Sequence, residues 1–384
     1  DACLACHDDP ALTATEGYGA DAVLQAYLEA ERLCDRIGDE TARFKVEMGL
    51  EAYRFMRADF QPALEHGRRA AAIAARSGDT KQRIHAHWGL ACTLFHQGEL
   101  RATMREMESG LALYTPALHA LFGVQDPGVM CLAYSSWGLW ELGRPDSALS
   151  RINQAIAIAE EFKHKFSQAV ALAYGVSILL LRGETRAALE RVNLCIRVCD
   201  EAGFPVWLAI ARCMRGRLFC DQGNFEVGLS EMREGYSLWL STGSMVSRPL
   251  YLSLQTEGLM LAGEFDAAQA CADEGLAIIE RFGERQLEAG LRRLHAELAL
   301  RRGDRAQAEA VRRGASAPGP GASGTSSPNC GPCMPSSHCA GATRRRPRRR
   351  CAAPMPWPCG STAWALRFAA PPRWPASGKR TGAA

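Results

Sequence analysis

Two cysteine motifs near the ends of the chain have spacings that could support chemistry. Cys3, Cys6 and His7 match C-x-x-C-H, in which two thiols would bond a haem and the imidazole would bind its iron. Haem attachment also needs an exported protein and a distal ligand, and the sequence shows neither. We therefore interpret this motif as small residues of a truncated first helix.

The second motif, Cys330-Gly331-Pro332-Cys333, has the sequence of a thioredoxin-type redox pair. Such a pair needs its first thiol at a helix end beside a sheet, but Ser, Pro and Gly runs surround it. Adding His338 and Cys339 gives a loose zinc set that lacks ordered turns. We therefore expect no catalytic residue, no metal and no cofactor, and a redox or haem protein is the least favoured alternative.

The ten cysteines before residue 313 are scattered along the sequence. Cys195 and Cys199 lie one helical turn apart, and small buried positions explain such residues better than disulfides. Free thiols persist in the reducing cytoplasm. No signal peptide and no apolar run of about 18 residues is visible. The sequence therefore predicts a cytoplasmic protein without a membrane-spanning helix.

Charge divides the chain at about residue 313. Residues 313–384 contain eleven Lys or Arg and no Asp or Glu. The preceding residues hold 34 basic and 42 acidic side chains, a net charge of −8. Because phosphate binding needs clustered Lys and Arg, this sign disfavours nucleic acid as a partner of residues 1–312.

Turn glycines recur at a fixed interval and indicate the architecture. A first series is spaced by 45, 40, 40, 40 and 40 residues, and a second series runs midway between its members. Ala58 and Lys163 stand where a glycine is missing. A glycine just past a helix can adopt the left-handed conformation that ends it, so helices of about 15 residues are expected between turns. The first series is Gly98, Gly143, Gly183, Gly223, Gly263 and Gly303, and the second is Gly38, Gly78, Gly123, Gly203, Gly243 and Gly283.

Small residues recur five and twelve positions after each turn of the first series. Close packing leaves no room for a large side chain where two helices cross, so this pattern predicts tightly paired helices. The first set is Ala63, Thr103, Ala148, Ala188, Gly228, Ala268 and Ala308, and the second is Ala70, Gly110, Ala155, Cys195, Gly235 and Gly275.

This pattern resembles the tetratricopeptide repeat, with a period of 40 residues instead of about 34. The resemblance covers roughly residues 15–312 and implies an all-α fold, a right-handed α-solenoid of helix pairs. We expect a repeat array of about seven pairs over residues 1–312, the first one partial, and a tail over residues 313–384.

Three segments, residues 119–129, 203–209 and 248–253, give a narrower resemblance. They look like the C-terminal tetratricopeptide region of large bacterial signalling proteins, in which an adenylate-cyclase-like domain and a P-loop signal-transduction ATPase precede the helices. The resemblance implies a non-catalytic regulatory scaffold. Neither catalytic domain is in this chain, because no G-x-x-x-x-G-K-[S/T] phosphate loop occurs in it. The missing initiator Met indicates a fragment, and in that case we expect such domains upstream.

The concave side of such an array is where a partner protein or peptide is expected to bind, because the first helix of each pair faces inward. Aromatic and Arg side chains are common interface anchors. Trp at helical spacing also packs between helices, and Arg217 and Glu257 also suit a solvated face. The tetratricopeptide register places eight candidates on this face: His85, Trp88, Trp137, Trp140, Arg217, Glu257, Arg293 and Glu297.

Two interpretations of the tail remain open. Residues 344–346 and 348–350 are all Arg, and twelve of the nineteen prolines lie in this tail, so disorder is expected. In the first, the tail is a basic arm that binds either nucleic acid or an acidic surface. In the second, it is the product of a GC-rich gene translated out of frame. A frame error better explains why the helical pattern stops inside a repeat.

Overall fold

The computed structural model describes residues 21–115, 117–118, 126–304, 306 and 308. Within these residues the chain forms fourteen α-helices and no strand. None of these helices combines the length and apolar character that a membrane span requires. The helices are α1 (Asp21–Ile37), α2 (Glu40–Met56), α3 (Phe60–Ser77), α4 (Thr80–His96), α5 (Leu100–Leu113), α6 (Pro127–Glu141), α7 (Pro145–Glu161), α8 (Lys165–Arg182), α9 (Thr185–Ala202), α10 (Pro205–Asp221), α11 (Phe225–Ser241), α12 (Arg248–Ala262), α13 (Phe265–Phe282) and α14 (Glu288–Arg301).

Both glycine series end helices, as the sequence predicts. The eleven series glycines within the described residues all have a positive φ, between 69° and 84°. Ala58 and Lys163, which stand where the series lack a glycine, also have positive φ values of 59° and 55°. The backbone therefore keeps the left-handed turn even where the residue is not glycine. Gly123 lies outside the described residues.

Three of the inward helices begin at an aspartate that caps the helix. Asp39, Asp79 and Asp126 precede α2, α4 and α6, and each side chain accepts hydrogen bonds from two backbone N–H groups of the first turn. These bonds satisfy donors that have no partner inside the helix. The caps fix where each inward helix begins and so which side chains its inner face carries.

The predicted small residues lie where paired helices cross. The closest crossing joins α10 and α11. A Cβ atom on Gly228 would lie 2.5 Å from the carbonyl oxygen of Gly216, and one on Gly235 would lie 2.7 Å from that of Ala209. The two backbones therefore touch with no side chain between them. This confirms the tightly paired helices that the small-residue pattern predicts.

The array curls until distant helix pairs touch. The N–H groups of Met245 and Val246, in the turn before α12, donate to the carbonyl of Met56 at the end of α2, at 2.7 and 3.2 Å. The N–H of Gln286, before α14, donates to the carbonyl of His96 at the end of α4, at 3.2 Å. The first two complete helix pairs therefore close against the last two.

Glu284 holds this closure together. Its carboxylate contacts Nδ1 of His96 at 2.8 Å and accepts the N–H of Ser247 at 2.8 Å. Glu284 and His96 are both buried. Ser247 has a positive φ of 64°, so this carboxylate also stabilises a left-handed turn at a residue with a side chain. We call the contacts of Met56, His96, Ser247, Glu284 and Gln286 the clasp.

Candidate functional site

Closure of the clasp encloses a cavity of 610 Å³ at the centre of the array, which we call the central cavity. Its wall comes mainly from the inner faces of α2, α4, α6, α8, α10 and α12. The volume falls in the range of about 300–1,000 Å³ that is usual for ligand pockets. Aromatic side chains dominate the wall, among them Trp88, Tyr134, Trp137, Tyr174, Trp207 and Tyr251.

The aromatic side chains of the wall brace one another. The ring of Tyr174 lies 4.8 Å from that of Tyr134, 5.9 Å from that of Trp137 and 6.2 Å from that of Trp207. Phe95 packs edge-on against Trp137 at 5.8 Å. Contacts of this kind add to the stability that burial gives each ring. The wall is therefore formed before any ligand enters.

The central cavity reaches solvent at one side. Three residues line the cavity and are also exposed: Gly203 between α9 and α10, Pro205 at the start of α10, and Ser241 at the end of α11. These residues belong to neighbouring turns of the array. The cavity is therefore open to solvent beside these residues, and we call this opening the mouth.

Few polar groups interrupt the apolar wall. Nε1 of Trp88 and the hydroxyl of Tyr251 are buried and have no hydrogen-bond partner among the described residues. Burial raises the pKa of Tyr251 well above its usual value, so this hydroxyl keeps its proton. Neither atom is accessible to a water molecule, so each leaves a hydrogen bond unmade at a cost in stability.

Glu51 supplies the one carboxyl group that the described residues contribute to this wall. It is 3% exposed, and its Oε1 accepts the hydroxyl of Thr93 at 3.0 Å. Burial raises the pKa of Glu51 to about 7, although the Thr93 hydrogen bond opposes that shift. The group therefore changes charge near neutral pH.

A second cavity of 220 Å³ adjoins the first, and Trp137, Ser177 and Leu250 line both. Nε of Arg217 donates to Glu257 at 3.0 Å, and Arg217 also pairs with Asp221. Burial would lower the pKa of Arg217, but Glu257 and Asp221 raise it. The guanidinium therefore stays charged, and the second cavity combines this charged cluster with apolar side chains such as Leu180 and Met214.

Five of the eight candidate residues line these cavities. His85, Trp88 and Trp137 line the central cavity, and Trp137 also reaches the second. Arg217 and Glu257 line the second cavity. The register drawn from the repeat therefore brings these side chains to one continuous concave surface.

The other three candidates lie elsewhere. Trp140 is 3% exposed and packs into the core between helices. Arg293 donates to Glu257 at 3.3 Å and to Glu297 at 3.4 Å, and Glu297 also accepts from Arg301. These ion pairs connect Glu257, in the wall of the second cavity, to α14.

Glu51 is not among the eight predicted candidates, although its residue type is unusual for its position in the repeat. It lies seven residues before the turn at Ala58, and the same position in the other repeats holds only small or β-branched residues. A carboxylate at a position that packs against the neighbouring helix is out of place. The equivalent residues are Ala91, Ser136, Val176, Gly216, Thr256 and Ala296.

The cysteine motifs at residues 3–7 and 330–339 and the basic tail lie outside the described residues. Within the described part of the chain, no cluster of three or more His, Cys, Asp or Glu is placed to hold a metal ion. The eight described cysteines are free, and seven of them are buried, as the sequence predicts for small core positions.

Comparison with known sequences gives one distant relative. No protein-family model matches the chain. An uncharacterised protein of Rhizobium meliloti (strain 1021) is 23% identical over 321 residues, which cover 79% of this chain. The match spans only 30% of that relative's length.

Comparison with solved structures shows the fold. A Rap protein complexed with Competence and Sporulation Factor has a TM-score of 0.60 at 13% identity, covering 76% of this chain and 78% of that one. The Rap conjugation gene regulator of the plasmid pLS20, in complex with the Phr* peptide, has a TM-score of 0.58 at 12% identity, covering 72% and 73%. Rap proteins are tetratricopeptide-repeat proteins, which confirms the predicted helical solenoid.

Proposed function

We propose that this chain binds a short peptide in its central cavity and acts as a non-catalytic regulatory module of a bacterial signalling protein. The observation that carries this proposal is a preformed aromatic cavity of 610 Å³ with a mouth at the ends of α9 and α11. Apolar walls with a few polar groups are typical of ligand sites. Protein cores are close-packed and rarely leave a space of this size unfilled.

The solved structures of similar fold support a peptide as the ligand. The Rap regulator of pLS20 is in complex with the Phr* peptide. The fold alone does not transfer a ligand, but the central cavity of this chain offers an enclosed surface large enough for part of a peptide. An extended peptide presents apolar side chains at alternating positions, which suit the aromatic wall of the central cavity.

In this proposal, the candidate residues have separate roles. His85, Trp88 and Trp137 contact apolar side chains of the peptide, and Arg217 and Glu257 contact its polar end from the second cavity. Attached ATPase or cyclase domains of a longer polypeptide would respond to the bound peptide. The free cysteines support a cytoplasmic location, where thiols stay reduced.

A selection experiment tests the proposal. Phage displaying random peptides are selected on the whole chain, and enriched peptides are synthesised and measured by fluorescence anisotropy. We expect peptides that bind more tightly than about 100 µM. Ser177→Trp, which adds a ring to the shared wall of both cavities, should weaken binding at least about tenfold.

Ser150→Trp is the matched control, because Ser150 lies exposed on α7, away from both cavities. It should bind like the original chain. Circular dichroism and thermal unfolding establish that both variants are folded. Equal binding by both Trp variants would place the peptide elsewhere, and a selection without enriched peptides would refute the proposal.

A further inference from the structure

Glu51 and Glu47 lie one helical turn apart on α2 and have opposite environments. Glu47 is buried and accepts hydrogen bonds from His66 at 2.8 Å and from Arg69 and Arg43 at 2.9 Å. Glu51 accepts one hydrogen bond, from the neutral hydroxyl of Thr93. Glu47 is therefore paired with cationic side chains of the fold, whereas no basic side chain in the described part of the chain pairs with Glu51.

The groups that face Glu51 from neighbouring helices are small or apolar. On α4, Gly89 lets the Glu51 carboxyl pack close to the helix backbone, since a Cβ atom there would lie 3.2 Å from Oε2. Gly67 approaches the same side chain from α3. Cys92, also on α4, is the titratable group nearby, and burial raises its pKa so that the thiol stays neutral. Apart from the Thr93 hydroxyl, these groups do not stabilise a negative charge on Glu51.

The rest of the cavity wall suits the stem of a long cation. Trp88 adjoins Gly89 in the sequence and lines the cavity, as do Tyr134 and Trp137. Aromatic faces attract ammonium and guanidinium groups, and apolar walls pack against the methylene stems of Lys and Arg. A cation held by Glu51 would therefore also be favoured by its surroundings.

We infer that Glu51 binds a cationic group of the ligand, either a Lys or Arg side chain or the N-terminal ammonium of a peptide, inside the central cavity. This inference rests on the proposed function. It specifies the ligand's chemistry: a cation next to apolar side chains, with the cation at the end of the cavity that α2 and α4 form. A neutral or acidic peptide would leave Glu51 without a partner.

Phenylbutylamine and phenylbutanol, which differ in charge but share an apolar stem, test the charge preference by isothermal titration calorimetry on the whole chain. We expect the amine to bind at least about tenfold more tightly than the alcohol. Glu51→Gln keeps the size of the side chain and an acceptor for Thr93, and it should abolish this preference. Ser150→Trp should retain it.

The selected peptides identify the source of the cation. Each peptide is compared with versions in which Lys is replaced by norleucine or the N-terminus is acetylated. The change that removes the charge bound by Glu51 should weaken binding to the original chain. It should have little effect on binding to the Glu51→Gln variant.

The outcomes separate this inference from the proposed function. A Glu51-dependent preference for the amine without any peptide binding would support the inference and refute the peptide proposal. Peptides that bind in the cavity with no dependence on charge or on Glu51 would overturn the inference and leave the peptide proposal standing. Absence of a Glu51-dependent charge preference in both amine and peptides would likewise overturn it.

Discussion

At the scale of single residues, α2 shows how partners decide the charge of a buried carboxyl. Burial alone would raise the pKa of Glu47, but hydrogen bonds from His66, Arg69 and Arg43 lower it to about 2. Burial raises the pKa of Glu51 to about 7, because the single hydrogen bond from the Thr93 hydroxyl stabilises its charge far less than the three bonds to Glu47 do. The two groups therefore make the stability of the fold depend on pH in opposite directions.

Glu51→Gln should stabilise the unliganded protein at neutral pH. Between pH 4.5 and 7 the unfolded chain loses the Glu51 proton while the folded chain keeps it, so the original protein loses stability as pH rises. At about 1.4 kcal/mol per pH unit, the variant should gain about 3 kcal/mol across this interval. Urea unfolding at both pH values measures the gain, and an equal difference at the two values would contradict it.

Glu47→Gln should have the opposite effect. The folded-state pKa of about 2 lies below the ordinary value of 4.5, so the ionised group stabilises the fold above pH 4.5 and this contribution is lost as pH falls toward 2. The variant should lose about 3 kcal/mol at neutral pH and a little under half of that at pH 3. The midpoint of urea unfolding at these two pH values checks the sign, and a loss that persists undiminished at pH 3 would argue against it.

At the scale of helices, two kinds of glycine support the fold in different ways. Gly143 ends α6 with a φ of 74° and has open space around it, so it is needed for its backbone conformation. Gly235 lies inside α11, where a Cβ atom would lie 2.6 Å from Sγ of Cys213 and 2.7 Å from the carbonyl of Ala209. It is needed for the close approach of α10 and α11.

Gly235→Ala should therefore be more damaging than Gly143→Ala. The first change overpacks a crossing between two backbones and should cost about 3 kcal/mol, in spite of alanine's better helix propensity. The second places alanine in a left-handed turn and should cost about 1 kcal/mol. Unfolding in urea compares them, and the reverse order would show that the crossing can open at little cost.

The sequence predicts these helices well because each repeat has the same turn glycines and the same small residues at the helix crossings. It predicts the binding surface less well. His85 and Trp88 line the central cavity, but Trp140 is equally plausible on a helical projection and lies in the core. Which inward side chains reach the cavity depends on how tightly the array curls. That curvature is set by contacts between distant repeats, which no local pattern contains.

At the scale of the whole molecule, the clasp sets the curvature. Glu284 joins the end of α4 to the turn before α12 through His96 and Ser247. These partners come from opposite ends of the array, so the carboxylate fixes the distance between them. The size of the central cavity follows from this distance.

Glu284→Ala should loosen the clasp and widen the array. It leaves His96 and the N–H of Ser247 without their buried acceptor, which should cost about 3 kcal/mol. Small-angle X-ray scattering should show a larger radius of gyration for this variant. Glu190→Ala is the control, since Glu190 is exposed and, within the described residues, pairs with Arg186 on its own helix. Identical scattering curves and unfolding midpoints for the two variants would show that other contacts hold the array closed.

The clasp also changes how this array can unfold. In an open solenoid each repeat contacts only its neighbours, so terminal repeats fray while the middle stays folded. Here a contact spans 188 residues of chain, and the first complete helix pairs cannot leave without exposing the last ones. Folding must close a long loop before this contact forms, which slows it. The protein should therefore lose its structure as one cooperative unit, so that removing a terminal helix pair costs far more than that pair's own stability.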